Sequence, residues 1–181
     1  MNTGIKKHIA NYFFKKELSK LNRDKIVCNI DKAKSIAILY NAIDEHTQES
    51  VNKLVRFFQE KQKMLKAIGF APYKNLPHYC FQRLSFDYLT KRDLYWYNKP
   101  KINKKITDFI DEEFDILIDL SQNDCFPLKY IAGLSKAKFK VGQFKDNHYN
   151  IYDFMLNVEK DIEIDTYIKE LIKYLSILNK E

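Results

Sequence analysis

The sequence predicts an α/β fold, a three-layer sandwich with a mostly parallel sheet of about five or six strands, plus an N-terminal helix. Short apolar runs typical of buried strands alternate along the chain with longer segments of helical periodicity. One such unit, residues 113–142, contains a buried strand, a polar loop, a helix and a second strand that ends at a glycine. Alternation of this kind places helices on both faces of a parallel sheet.

The first half of the predicted body is one β-α-β unit. Residues 35–41 are apolar without a helical period, which predicts a buried strand, and residues 64–70 form a second strand before Pro72. Between them, residues 46–62 are predicted to be an amphipathic helix. Its apolar stripe consists of Val51, Leu54, Val55 and Phe58.

An irregular insert, residues 72–101, follows this unit and contains three prolines. Two short strands are predicted within residues 79–89. The aromatic run D-L-Y-W-Y-N at 93–98 has two interpretations, a ligand platform or packing in the core or a lid.

The second half returns to regular alternation and completes a Rossmann-like domain. The predicted strands are residues 114–120, 138–141 and 151–158. The predicted helices are residues 103–112, capped by Asn103, 126–135, with Pro127 in the first turn, and 164–179, capped by Asp165.

The net charge of +7 is concentrated at the N-terminus, because residues 1–34 contain nine basic and three acidic side chains. The predicted organisation is therefore a basic helical segment, residues 1–34, and a single Rossmann-like domain, residues 35–181. A basic segment indicates an acidic partner such as RNA, DNA or an anionic membrane surface. The alternative is a composition rich in Lys, Ile and Asn, without a function for the charge.

The predicted N-terminal helix, residues 3–22, carries apolar residues on two opposite faces. Ile5, Ile9, Tyr12 and Phe13 share one face, and Phe14, Leu18 and Leu21 lie on the other. Either the two halves of the helix pack on different surfaces, or a bent helix packs on its own domain. The lysines predicted to contact a partner are Lys6, Lys7, Lys15, Lys16 and Lys20.

Polar residues at the carboxyl ends of the strands predict a second candidate site, because open α/β sheets bind ligands at this edge. The candidate residues are Asn41, His46, Asp119, Ser121, Asn123 and Cys125. The helix that begins near residue 126 would favour an anion at its N-terminus. Alternatively, Ser121, Asn123 and Asp124 satisfy backbone groups of a tight loop, and Asp124 caps the helix.

Several other classes of site lack support in the sequence. Four glycines cannot form a G-x-G-x-x-G or P-loop motif, and the scattered histidines and three cysteines lack metal-ligand spacing. No cofactor, disulfide or metal is therefore expected. A nucleophilic Cys125 would need His46 or His78 as its base, whereas the alternative is a buried inert thiol. Without an apolar run of transmembrane length or a signal peptide, the expected location is the cytoplasm.

The segments F-D-I-L-I-D-L and L-S-K-A-K-F-K-V-G, with D-L-Y-W-Y-N-K-P upstream, resemble an uncharacterised family of small bacterial cytoplasmic proteins of unknown function. Residues 113–142 are also similar to part of the N-terminal half of the ADP-heptose heptosyltransferases. Those enzymes have a glycine-containing loop where this chain has residues 41–46, and 181 residues leave no room for their second Rossmann domain. This second resemblance implies the fold and argues against the transferase activity.

Two functional hypotheses follow. In the first, the protein is a non-enzymatic binding or adaptor protein that contacts a protein or RNA assembly through its basic N-terminal helix. In the second, it is a small enzyme or ligand sensor that binds a phosphorylated small molecule at the carboxyl edge of the strands. A homodimer through the N-terminal helix and contact with a membrane surface are further alternatives.

Overall fold

The computed structural model describes residues 3–146, 148–159 and 161–178, which form a six-stranded parallel sheet. Its strands are β1 (Ser35–Asn41), β2 (Met64–Phe70), β3 (Phe86–Leu89), β4 (Ile116–Asp119), β5 (Phe139–Gln143) and β6 (Phe154–Leu156). Their order across the sheet is β3-β2-β1-β4-β5-β6. The predicted α/β fold is confirmed, and the described sheet is parallel throughout.

Helices cover both faces of this sheet. They are α1 (Thr3–Leu18), α2 (Glu45–Glu60), α3 (Lys104–Asp111), α4 (Phe126–Leu134) and α5 (Ile164–Ile177). Helices α2 and α5 contribute to the apolar core on one face, and α1, α3 and α4 contribute to the core on the other. Strand β1 is buried along almost its whole length, as expected for a strand covered on both sides.

Several element boundaries differ from the sequence predictions. Helix α1 ends at Leu18 rather than at residue 22. Immediately after this end, the Ser19 hydroxyl donates a hydrogen bond to the Lys16 carbonyl. Only β3 forms a strand within residues 79–89, and β6 is shorter than the predicted strand at 151–158. Asn103 caps α3 as predicted, whereas Glu163 rather than Asp165 is the N-cap residue of α5.

The chain between α1 and β1 is attached to the body of the domain. The Arg23 guanidinium donates to both carboxylate oxygens of Asp153, at 2.6 and 2.7 Å, and to the carbonyls of Ala137 and Lys138. Further along, the Asn29 side chain donates to carbonyls in and after the last turn of α5. These hydrogen bonds hold the segment between α1 and β1 on the surface of the domain, next to the position of α1.

In the described ranges, no helix is both long enough and apolar enough to cross a bilayer.

Candidate ligand-binding cleft

The strand order reverses between β1 and β4, which creates a topological switch point at the carboxyl ends of these two strands. After β1 the chain builds β2 and β3 on one side, then crosses over and builds β4, β5 and β6 on the other. Helices that follow adjacent strands thus lie on opposite faces, and a crevice opens between the strand ends. Asn41 ends β1 and Asp119 ends β4, so both lie at this crevice.

A large cleft, with a cavity volume of about 1300 Å³, extends from this crevice to α1. Its walls are α1, the start of α4, the loop at 94–98 and the loops that follow β1, β2, β4 and β5. Six lysines and two aspartates line it, which makes the cleft strongly positive. The lysines are Lys6, Lys7, Lys15, Lys91, Lys129 and Lys145.

Part of each set of residues predicted from the sequence lines this cleft. From the N-terminal set, Lys6, Lys7 and Lys15 line it, whereas Lys16 and Lys20 are exposed and lie outside its lining. From the strand-end set, Asn41, Asn123 and Cys125 line it.

His46 is separated from the other strand-end residues. It lies in the first turn of α2, and its Nε2 is 3.4 Å from a carboxylate oxygen of Asp165 in α5. His46 is absent from the lining of the cleft.

Helix α1 is held in place by a small set of buried contacts with α4. The Phe14 side chain, which is only 5% exposed, packs over Gly133 and the Tyr130 ring. Beside it, the Glu17 carboxylate accepts hydrogen bonds from the Tyr130 hydroxyl and from Lys99 Nζ. These contacts turn the face of α1 that carries Lys6, Lys7 and Lys15 toward the cleft.

The aromatic run forms the wall of the cleft that adjoins α1. Leu94 and Pro100 pair across a tight turn, in which Asn98 has a left-handed φ of 68° and donates its N–H to the Tyr95 carbonyl. Tyr97 stacks on Phe13 of α1 and on Tyr95. Trp96, the only tryptophan of the sequence, lines the cleft and is 53% exposed.

A small inner cavity of about 10 Å³ adjoins the floor of the cleft. Asp119, Ser121, Gln143 and Tyr152 line the inner cavity alone, and its remaining lining residues are shared with the cleft. The shared residues are Asn123, Cys125, Lys129, Lys145 and His148. The Asp119 carboxylate accepts hydrogen bonds from the Ser121 N–H and the Tyr152 hydroxyl, and burial raises its pKa.

Two lysines and a histidine are the basic side chains at this end of the cleft. Lys145 Nζ donates to the carbonyls of Ser121 and Asn123 and so closes the loop after β4. Burial lowers the pKa of both Lys129 and Lys145. Burial also lowers the pKa of His148 to about 4, so the imidazole is neutral at physiological pH.

Cys125 lacks the properties of an activated nucleophile. It is the N-cap residue of α4, where a helix dipole would favour the thiolate. Burial outweighs that effect and raises the pKa of the thiol to about 12, with Asp119 and Asp124 acting in the same direction. The Asp124 carboxylate does not cap α4, and one of its oxygens lies 4.0 Å from Lys7 Nζ of α1.

Comparison with known proteins identifies the family of this chain. Residues 6–178 match the model of a family of unknown function, DUF6913. The chain belongs to this family. No curated protein and no solved structure matches it significantly, so the similarity to heptosyltransferases receives no support from these comparisons.

In this DUF6913 protein, the sequence patterns did not identify Lys129, Lys145 or Tyr152 as candidate site residues. Lys129 lies in the first turn of α4, and Lys145 lies two residues after β5. Their positions next to a helix start and a strand end could have identified them as candidate cleft residues. Tyr152 precedes β6 in a loop and carries no comparable signal. Within the described ranges, no three His, Cys, Asp or Glu side chains are grouped as metal ligands would be.

Proposed function

We propose that this protein is a non-enzymatic binding protein that holds single-stranded RNA in the lysine-lined cleft. The observation that carries the proposal is that three lysines of α1 and an exposed tryptophan line one continuous cleft. Proteins that bind single strands combine a positive groove for the backbone with aromatic side chains on which bases stack. In this proposal the basic helix α1 still contacts the partner, and the loop at 94–98 forms a second contact surface beside it.

The electrostatic part of the proposal rests on how the lysines are arranged. Lys7 is 72% exposed at its side chain, and its single ion pair within the described ranges, with Asp124, is long at 4.0 Å. Lys129 has no ion-pair partner among the described residues. Ammonium groups in this state are available to phosphates, and a strand bound through them releases counterions.

The aromatic part rests on the loop at 94–98. Tyr95 and Trp96 are both about half exposed, although large aromatic side chains are usually mostly buried in folded proteins. The Tyr95–Tyr97–Phe13 stack fixes the loop against α1, so Trp96 is presented on a supported backbone. A base that stacks on Trp96 would contribute about 1–3 kcal/mol.

The fluorescence of Trp96 provides a direct test. We expect an oligouridylate of about eight nucleotides to quench it saturably, and the affinity to fall steeply with salt, with a slope of about −0.7 per phosphate contact. Replacing Lys6 and Lys15 by Gln should remove about two contacts from that slope. Unchanged fluorescence at low salt, together with no oligonucleotide binding by anisotropy, would reject the proposal.

A matched control is available on the same segment of chain. Lys16 and Lys20 are exposed but lie outside the cleft, so the Lys16→Gln, Lys20→Gln protein has the same net charge as the Lys6→Gln, Lys15→Gln protein. We expect the control to retain the affinity and the salt slope. An equal loss in both variants would show that binding follows total charge and does not use the cleft.

A phosphorylated small molecule is the second candidate ligand of the same cleft. It is favoured by the start of α4, where Cys125 makes no side-chain cap and Phe126 and Pro127 line the cleft together with Lys129. Uridine monophosphate and the oligouridylate distinguish the two candidates. Equal affinity for both would favour the small molecule, whereas affinity that grows with strand length favours RNA.

A further inference from the structure

The inner cavity differs from the rest of the cleft in the polarity of its walls. Its volume of about 10 Å³ is close to the space that one water molecule requires. The four residues that line the inner cavity alone present a carboxylate, two hydroxyls and a side-chain amide. A phosphate group is too large for this space and would face the Asp119 carboxylate, so the cavity suits a single hydroxyl or water oxygen.

Two polar atoms of this cavity lack hydrogen-bond partners among the described residues, Ser121 Oγ and Gln143 Oε1. Both residues are more than nine-tenths buried, with exposures of 7% and 8%. The Ser121 hydroxyl lies near the Asp119 carboxylate, where it opposes the rise in pKa that burial causes, and it makes no hydrogen bond of acceptable geometry. Buried polar groups of this kind are normally satisfied, so both atoms are available to a molecule that enters the cavity.

The available partners define the chemistry of that molecule. Gln143 Oε1 and the Asp119 carboxylate accept hydrogen bonds, and the Ser121 hydroxyl donates or accepts. The neutral imidazole of His148 adds one donor and one acceptor, without a charge. A hydroxyl group fits this set because it donates one hydrogen bond and accepts others within the volume of one oxygen atom.

We propose that the inner cavity receives a ribose 2′-hydroxyl of the strand bound in the cleft, so that the protein distinguishes RNA from DNA. The proposal rests on the proposed function, since the cleft must first hold a nucleic acid strand. The 2′-hydroxyl is the group by which a protein recognises RNA at a given position.

Three strands of the same length and sequence test this inference on the unaltered protein. The probe is Trp96 fluorescence, and the strands are oligouridylate, oligodeoxyuridylate and 2′-O-methyl oligouridylate. We expect the ribose strand to bind about tenfold more tightly than the other two, because deoxyribose lacks the hydroxyl and a methyl group exceeds the cavity. Since 2′-O-methyl ribose favours the same sugar conformation as ribose, tight binding of that strand would overturn the inference.

Two variants assign the preference to the cavity. Gln143→Met and Ser121→Ala remove the unpaired polar atoms, and we expect each to bring the ratio of ribose to deoxyribose affinity close to one without weakening the deoxyribose strand. Asn11→Ala is the control, because Asn11 lines the cleft but not the inner cavity and should leave the ratio unchanged. Equal affinity of the wild type for both strands overturns this inference alone, whereas binding of neither strand overturns the proposed function as well.

Discussion

The Phe14 ring of α1 lies directly on Gly133 of α4, so closely that a Cβ added to Gly133 would stand 2.4 Å from Phe14 Cε2. The absence of a side chain at Gly133 is therefore what allows α1 to approach α4. Since α1 carries the lysines of one cleft wall, this contact between two helices also positions that wall.

Gly133→Ala tests this contact. We expect the substitution to lower the free energy of unfolding by about 1–3 kcal/mol, because the new methyl group must displace the Phe14 ring. In a Phe14→Ala background the sign should reverse, since alanine is the better helix former by up to about 1 kcal/mol and no ring remains to be displaced. Urea unfolding of the four proteins measures the coupling, and additive effects would show that α1 does not rest on Gly133.

The Glu17 carboxylate joins α1 to both α4 and the aromatic loop. It pairs with Lys99 Nζ at 2.6 Å, and the side chain of Lys99 is only 15% exposed. We expect Glu17→Gln to lower the free energy of unfolding by about 1–2 kcal/mol, because it leaves a largely buried ammonium group without its counter-charge. A double-mutant cycle with Lys99→Met should give a coupling of about 1 kcal/mol, and a coupling near zero would contradict the ion pair.

Lys140 predicts a pH dependence of stability. The residue is 1% exposed, and its Nζ donates a hydrogen bond to the Gly133 carbonyl at the end of α4. Burial lowers the pKa of Lys140 to about 7, and the nearby Arg23 acts in the same direction. Asp153 opposes this shift. Between about pH 7 and pH 10 the unfolded chain therefore holds a proton that the folded chain lacks. The free energy of unfolding should rise with pH across this window.

Lys140→Met should flatten this rise, as measured by urea unfolding at a series of pH values. Lys136 provides the control, because its side chain is 43% exposed and an ion pair with Asp111 raises its pKa. Lys136→Met should therefore leave the upward slope in place. An identical slope in the wild type and in Lys140→Met would contradict the assignment to Lys140.

The Cys125 thiol should resist alkylation in the folded protein. With its pKa raised to about 12, the thiolate is a very small fraction at pH 8. We expect iodoacetamide to modify Cys125 slowly in buffer and rapidly in urea, as followed by peptide mass spectrometry. Rapid modification of the folded protein at pH 8 would instead restore Cys125 as a candidate nucleophile.

The amino-acid sequence by itself determined the parallel α/β architecture and many of its elements. Strands β1 and β2 coincide with the predicted ranges, because an apolar run without helical period is a local property of the chain. The sequence also indicated that polar residues after β1 and β4 would lie at one edge of the sheet. That inference needs only the direction of parallel strands, and Asn41 and Asp119 follow it.

Only the tertiary structure decided which of these residues share a site. His46 follows β1 as predicted, but the start of α2 carries it to Asp165 of α5 and away from Asp119. Lys15, Trp96 and Lys145 are far apart in sequence and line one cleft because α1 packs on Gly133 and the strand order brings the loop ends together. Contacts of this kind depend on packing between segments that are distant in sequence, and the local pattern of apolar residues does not predict them.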